Sequence, residues 1–118
     1  MLLRSRFEFS AAHQLTRHPG ACRRMHGHNY QLEVGVAGHI DPDTGMVMDF
    51  FELEQLVRQR ILAQLDHVCL NDVIAYPTAE NIARWSWQQL APVLPGLAEI
   101  AVYEMPTCSV VYRGEDEH

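Results

Sequence analysis

Cysteine is scarce in this chain. Cys22, Cys69 and Cys108 are an odd set among 118 residues, and no two stand in a C-x-x-C pair. That excludes a disulfide scaffold and fits a reducing compartment. Basic residues are short too: 9 Lys+Arg stand against 15 Asp+Glu, for a formal net charge of -6. Phosphate recognition rests on basic surface, so a general nucleic-acid binder is excluded. No apolar run is long enough to span a bilayer, and Met1-Leu2-Leu3-Arg4-Ser5-Arg6 lacks the apolar core of a signal peptide. No membrane partner and a cytoplasmic location are therefore expected. There is no internal repeat and no low-complexity stretch. A 47% hydrophobic, 20% charged composition suits one globular domain over residues 1–118.

What the chain does have is patterned histidine. In Cys22-Arg23-Arg24-Met25-His26-Gly27-His28-Asn29-Tyr30 two histidines stand two apart, and in a strand residues i and i+2 share a face. Both imidazoles can then reach one ion. Catalytic zinc usually takes three protein ligands and keeps a position open, so a third is wanted. From Leu3 to His13 the odd positions Leu3, Ser5, Phe7, Phe9, Ala11 and His13 form a mostly apolar face against Arg4, Arg6, Glu8, Ser10 and Ala12. A second strand, about His26 to His39, puts His26, His28, Tyr30, Leu32, Val34 and Val36 on one parity. If the two pair antiparallel, His13 lies beside His26 and His28 and completes a metal site. The connection from Gln14 to Met25 is too long for a tight hairpin, so it can arch over the metal and bring Cys22 back to it.

Downstream, Asp41-Pro42-Asp43-Thr44-Gly45 reads as a turn. Asp49 caps a helix whose apolar stripe is Phe50, Leu53, Val57, Ile61 and Leu65, and Asp66-His67 stands at its end. A second helix runs from Thr78 to about Pro92. Thr78 is its N-cap, Glu80 lies in its first turn, and Ala79, Ile82, Ala83, Ser86 and Leu90 face inward. Trp85 and Trp87 diverge, so one needs cover outside that stripe, which hints at an oligomer interface. Two last strands follow. Glu104 ends an apolar parity where a lone carboxylate needs a donor. Cys69 and Cys108 read as small core residues, and Gly114 to His118 as a frayed acidic tail. The expected fold is α+β, a four-stranded antiparallel sheet in the order ββααββ with two helices on one face. Its exposed edges suggest assembly edge to edge.

These residues resemble the 6-pyruvoyl-tetrahydropterin synthase superfamily. The match is carried by His13 after Ala11-Ala12, Cys22-x-x-x-His26-Gly27-His28-x-Tyr30, Gly45-Met46-Val47-Met48-Asp49-Phe50, Leu65-Asp66-His67-x-x-Leu70-Asn71, Pro77-Thr78-x-Glu80 and the late Glu104. The compact C-x-x-x-H-G-H spacing and Tyr112-Arg113-Gly114-Glu115 are most similar to the bacterial 6-carboxy-5,6,7,8-tetrahydropterin synthases of the queuosine pathway. The resemblance implies a tunnelling fold, in which sheets of three subunits join into a barrel and two trimers stack as a hexamer. It implies Zn2+ on His13, His26 and His28, Cys22 as proton acceptor, and an Asp66-His67 pair that reaches the site of a neighbouring subunit. It implies a pterin held by Glu104 and a dihydroneopterin triphosphate substrate. Beyond what the resemblance implies, Thr78 and Glu80 are expected as further contacts to the pterin, and Arg23 and Arg24, with Arg17, to the triphosphate. One departure stands out: Glu104 is followed by Met105-Pro106-Thr107, where the family usually has Thr and a small-residue turn.

Other readings of the same residues stay open. Helix termini favour histidine on electrostatic grounds, so Asp66-His67 can be structural. Capping alone explains Thr78 and Glu80. A cupin would pair His-x-His with Glu33, but Glu33 faces the other side of the strand. A non-catalytic pterin- or metal-binding module would keep the ligands yet has no need of Cys22 and Asp66-His67. Sequence spacing separates a 6-pyruvoyl-tetrahydropterin synthase, or another dihydroneopterin side-chain lyase, from this reading only weakly.

Overall fold

The computed structural model describes residues 1–117. Strands β1 (Leu2–His13) and β2 (His26–Ala37) pair antiparallel along their whole length, from Leu2 opposite Ala37 to His13 opposite His26. Strands β3 (Leu97–Met105) and β4 (Cys108–Tyr112) complete an antiparallel sheet of order β1-β2-β3-β4. Alternation sorts its faces as expected. Phe7, Phe9 and Ala11 of β1, Tyr30, Leu32 and Val34 of β2, and Ile100 and Val102 of β3 are buried in one core cluster with residues of the helices.

The first helix is not a regular one. Asp49 caps α1 (Phe50–Val57) by accepting the Phe51 N–H at 3.1 Å. The chain continues as a π-helical segment, Arg58–Leu62, and closes with α2 (Ala63–Leu65). The wider turn rotates later side chains relative to a 3.6-residue repeat. As a result Leu62 joins Leu53, Val57, Ile61 and Leu65 in the core. Phe50, expected on the inner stripe, is 60% exposed. It borders an open groove with Met1, Leu2 and Met46, so the stripe begins one turn later, at Leu53.

The Thr78 hydroxyl caps α3 (Ala79–Leu90) by accepting the Asn81 N–H at 3.1 Å. Ile82, Ala83, Ser86 and Leu90 are buried. Trp87 finds its cover within the chain, edge-on to Tyr112 with ring centroids 5.7 Å apart. That removes the tryptophans as a sign of an interface. The tail is not frayed as far as Glu117. Arg84 binds Asp116 at 2.7 Å, Gln88 donates to Glu117 at 3.0 Å, and the Asp116 N–H donates to the Tyr112 hydroxyl at 3.2 Å. Gly114 permits this return, since at φ 80° a Cβ would meet the Trp87 ring at 2.5 Å. His118 lies outside the described residues. Cys108, expected in the core, is exposed at the start of an edge strand, and Cys69 is half-buried. No helix among the described residues is long and apolar enough to cross a membrane.

The face away from the helices is charged and specific. Arg4, Gly35 and Glu99 stand opposite one another across β1, β2 and β3. With no side chain on Gly35, the Glu99 carboxylate lies over β2 and is only 5% exposed. Arg4 reaches it at 2.6 Å and Arg113 at 3.4 Å. Glu33 is held by Arg6 at 2.8 Å and Arg4 at 3.5 Å, on the side of the sheet away from the histidines. A Cβ on residue 35 would come within 2.5 Å of Glu99 Cγ. Because the arginines pin that side chain, Gly35→Ala is expected to destabilise the fold by about 1–3 kcal/mol. The measurement is the urea midpoint at unchanged slope.

Candidate metal centre

The register that builds β1 and β2 also builds a histidine cluster. His13 stands opposite His26 and Ala11 opposite His28. All three imidazoles lie on the core parity at the sheet end, with ring centroids 4.6 Å, 5.2 Å and 4.8 Å apart. One ligand atom from each falls within 4.8 Å of the others. His13 is fully buried.

The proton positions follow from the partners. His13 Nδ1 lies 2.8 Å from the Pro77 carbonyl and His26 Nδ1 lies 2.7 Å from the Arg24 carbonyl. A carbonyl only accepts, so each Nδ1 carries a proton and, in the neutral imidazole, each Nε2 is left as a lone pair. Yet those two Nε2 atoms are 3.0 Å apart. Two facing lone pairs repel, and a cation between them turns the repulsion into coordination. The third nitrogen, His28 Nε2, is buried with no hydrogen-bond partner. Burial pushes His28 below the ordinary imidazole value of 6.5, and His13 and His26 push the same way, against the upward pull of the Glu104 carboxylate. Three imidazoles with converging ring nitrogens, two of them oriented by carbonyls, could hold a metal ion such as zinc.

Of the other expected residues, Glu104 reaches this cluster. Glu104 Oε1 lies 3.4 Å from His13 Nε2 and 3.9 Å from His28 Nε2. Cys22 lies half-buried on the arching loop, in the short 3-10 turn Ala21–Arg23. That loop is tied to the end of β1 by Leu15 N–H to the Cys22 carbonyl at 2.9 Å and Gln14 Nε2 to the Arg23 carbonyl at 2.8 Å. Arg23 and Arg24 are exposed and line a cavity of about 590 Å³ with Pro19, Gly20 and Ala21. Arg17 does not join them, because its guanidinium stacks on Tyr76 at 3.9 Å.

Asp66 and His67 are docked on the outer edge of β1. Asp66 Oδ1 accepts the Ser10 N–H at 3.0 Å and lies 2.9 Å from His67 Nδ1. The His67 N–H donates to the Ser10 carbonyl at 2.6 Å, with His67 at φ 60°. Its ring is exposed and lines a cleft of about 510 Å³ with Ser10, Asn29, Cys69 and His28. Thr78 follows Pro77, the partner of His13. Glu80 is exposed and lines a separate cavity with Arg84, Tyr112 and Asp116.

Two contributors escaped sequence reasoning. The Pro77 and Arg24 carbonyls orient the ligands, and a main-chain group leaves no mark in side-chain patterning. Tyr30 was legible, since it shares the histidine parity. Its hydroxyl sits 3.1 Å from His13 Nδ1, and burial, with the Glu104 charge, holds the phenol above its ordinary value of 10.0.

Comparison with known proteins agrees with this geometry. The family model described as 6-pyruvoyl tetrahydropterin synthase matches residues 2–115. A 6-carboxy-5,6,7,8-tetrahydropterin synthase from Synechocystis sp. is 41% identical over 113 aligned positions, covering 90% of this chain and 88% of that protein. A human 6-pyruvoyl tetrahydrobiopterin synthase is 38% identical over 129 positions, covering 93% and 89%. The structure of Caenorhabditis elegans 6-pyruvoyl tetrahydropterin synthase superposes with a TM-score of 0.90 at 27% identity, covering 98% of this chain and 96% of that one.

The depressed His28 value predicts a pH dependence. Below 6.5 the unfolded chain takes up a proton that folded His28 resists. Stability of the metal-free protein therefore falls as pH drops through that value, and this group adds no slope well above it. Urea midpoints from about pH 8 to about pH 5 should show the fall, and His28→Gln should flatten it. Metal affinity should weaken over the same window, because protons compete for the ligands.

Proposed function

The chain belongs to the 6-pyruvoyl tetrahydropterin synthase family, and from this we propose that it is a zinc-dependent carbon–carbon lyase. In this reading it converts 7,8-dihydroneopterin triphosphate to 6-carboxy-5,6,7,8-tetrahydropterin, acetaldehyde and triphosphate, in queuosine (7-deazapurine) biosynthesis. The observation that carries the reading is the convergence of three imidazoles, two of which donate Nδ1–H to a main-chain carbonyl and so turn Nε2 towards the shared space.

His13, His26 and His28 would hold Zn2+ through Nε2. Bound there, zinc supplies a Lewis acid that polarises the oxygens of the substrate side chain and eases loss of neighbouring protons. Cys22, held over the end of β1 by its loop, takes a proton from that side chain. His67 Nδ1 is oriented by Asp66, which the Ser10 N–H fixes in turn; the pair accepts or relays the second proton and serves the site of a neighbouring subunit. Glu104 accepts the 2-amino and N3–H donors of the pterin in bidentate fashion. Arg23 and Arg24 meet the triphosphate, and Thr78 and Glu80 flank the pterin.

The compact spacing of Cys22, His26 and His28 and the similarity to the Synechocystis protein support the carboxy-synthase reading. The comparable identities favour a 6-pyruvoyl-tetrahydropterin synthase as the second reading.

We place the chain in the cytoplasm, in line with its three free cysteines. It assembles as trimers whose sheets form a barrel, stacked as a hexamer. Two features support assembly. Beyond the contacts at Ser10 and Ala12, β1 has no neighbour on its outer edge from Leu2 to Glu8 among the described residues. Leu2, Met46, Phe50 and Phe51 expose apolar surface.

Zinc-loaded protein incubated with 7,8-dihydroneopterin triphosphate should yield 6-carboxytetrahydropterin and acetaldehyde by mass spectrometry. Appearance of 6-pyruvoyl-tetrahydropterin without acetaldehyde would select the second reading. Cys22→Ala should retain metal and lose about 10²- to 10⁴-fold in turnover, while His28→Ala should lose the metal itself. Light scattering should report an assembly larger than a monomer.

A further inference from the structure

Glu104 is placed differently from a residue that only waits for substrate. Its Oε1 stands 3.4 Å from His13 Nε2 and 3.9 Å from His28 Nε2. Both distances exceed the 2.7–2.9 Å or so of a charge-assisted hydrogen bond. No such bond is available at His13, whose proton is committed to Nδ1 and Pro77. The carboxylate therefore faces a lone pair, as His13 Nε2 also does towards His26 Nε2 at 3.0 Å. Four such donors are reconciled by a shared cation. Ligand atoms about 2.0–2.2 Å from a tetrahedral zinc lie about 3.3–3.5 Å from one another, close to the His13–Glu104 separation.

We propose that Glu104 is the fourth ligand of the substrate-free centre and leaves that position when it takes the pterin. This rests on the metal and pterin reading above and adds an exchange step to it. The backbone at Glu104 suits movement. Pairing of β3 with β2 ends at Tyr103, and the β3–β4 register shifts between Tyr103 and Met105, so Glu104 occupies the irregular position. Irregular positions of this kind re-aim a side chain without disturbing the ladder. The side chain is 28% exposed, so a ligand can reach it. A carboxylate that turns to present both oxygens to two pterin donors carries them away from the His13 side. The exchange therefore opens one coordination position as the pterin seats. No covalent bond or oxidation state changes in the exchange. In the resting protein the same contact offsets one of the two charges of the ion and closes the centre.

The test uses Co2+ alone as the metal probe, because its visible absorption reports ligand number and type. Glu104→Gln and Glu104→Ala should each bind Co2+ about 10- to 100-fold more weakly than wild type in chelator competition. Their absorption bands should differ from the wild-type bands. Adding 7,8-dihydroneopterin to the wild-type Co2+ protein should move its bands towards those of Glu104→Ala. Variants that match wild type in both affinity and spectrum would overturn the proposal while leaving the three-histidine centre intact. Wild-type bands unmoved by bound 7,8-dihydroneopterin would overturn the exchange. Wild-type protein that binds no Co2+ would overturn the centre itself and the proposal with it.

Discussion

Two main-chain carbonyls decide what the space between His13, His26 and His28 can hold. By accepting from the Nδ1–H groups, the Pro77 and Arg24 carbonyls turn the two Nε2 atoms towards each other at 3.0 Å. Two neutral imidazoles facing in this way repel unless a cation lies between them, so the cluster could hold a metal ion. The hydrogen bonds span very different sequence distances: Arg24 is two residues from His26, and Pro77 is sixty-four from His13. The near carbonyl belongs to the arching loop and the far one to the entry of α3. The centre therefore joins the strand pair to the helical layer, and the order of the ligands depends on both being in place.

Much of this was legible from alternation alone. A period of two put His13, His26 and His28 on the buried parity, and antiparallel pairing of neighbouring strands brought them together. The same rule placed Glu104 on that face and Glu33 on the other. What escaped the sequence has physical reasons. The π-helical turn at Arg58–Leu62 changes the phase of the helix in a way no 3.6-residue repeat anticipates. Phe50 fits the repeat but borders an open groove. The tail looked too polar to pack, yet its order comes from three hydrogen bonds to α3 and Tyr112 and from a glycine lying against an indole. Cys108 alternates with polar neighbours correctly, but on a strand whose outer edge is open.

The two faces of the sheet carry different chemistry from one alternation. The helix-covered face ends in the histidines, so the core that stabilises the fold also dries the ligands. The other face holds the carboxylates of Glu33 and Glu99 among Arg4, Arg6 and Arg113. One near-continuous strand pair thus separates a low-dielectric site from an ion network. Asp66 and His67 bridge this arrangement at its border, bonded to Ser10, three residues before His13.

The ion network has a mechanical side. Arg4 comes from one edge strand and Arg113 from the end of the other, and both converge on Glu99 near the middle of the sheet. Drawing both margins inward shortens the charged face relative to the helix-covered face, which favours curling. Copies added edge to edge on a curled sheet turn through an angle at every joint instead of extending as a flat ribbon. Whether an edge contact ends in a ring or a filament depends on that rotation. In the edge-to-edge assembly proposed above, a buried carboxylate over a glycine thus bears on closure from the middle of the sheet.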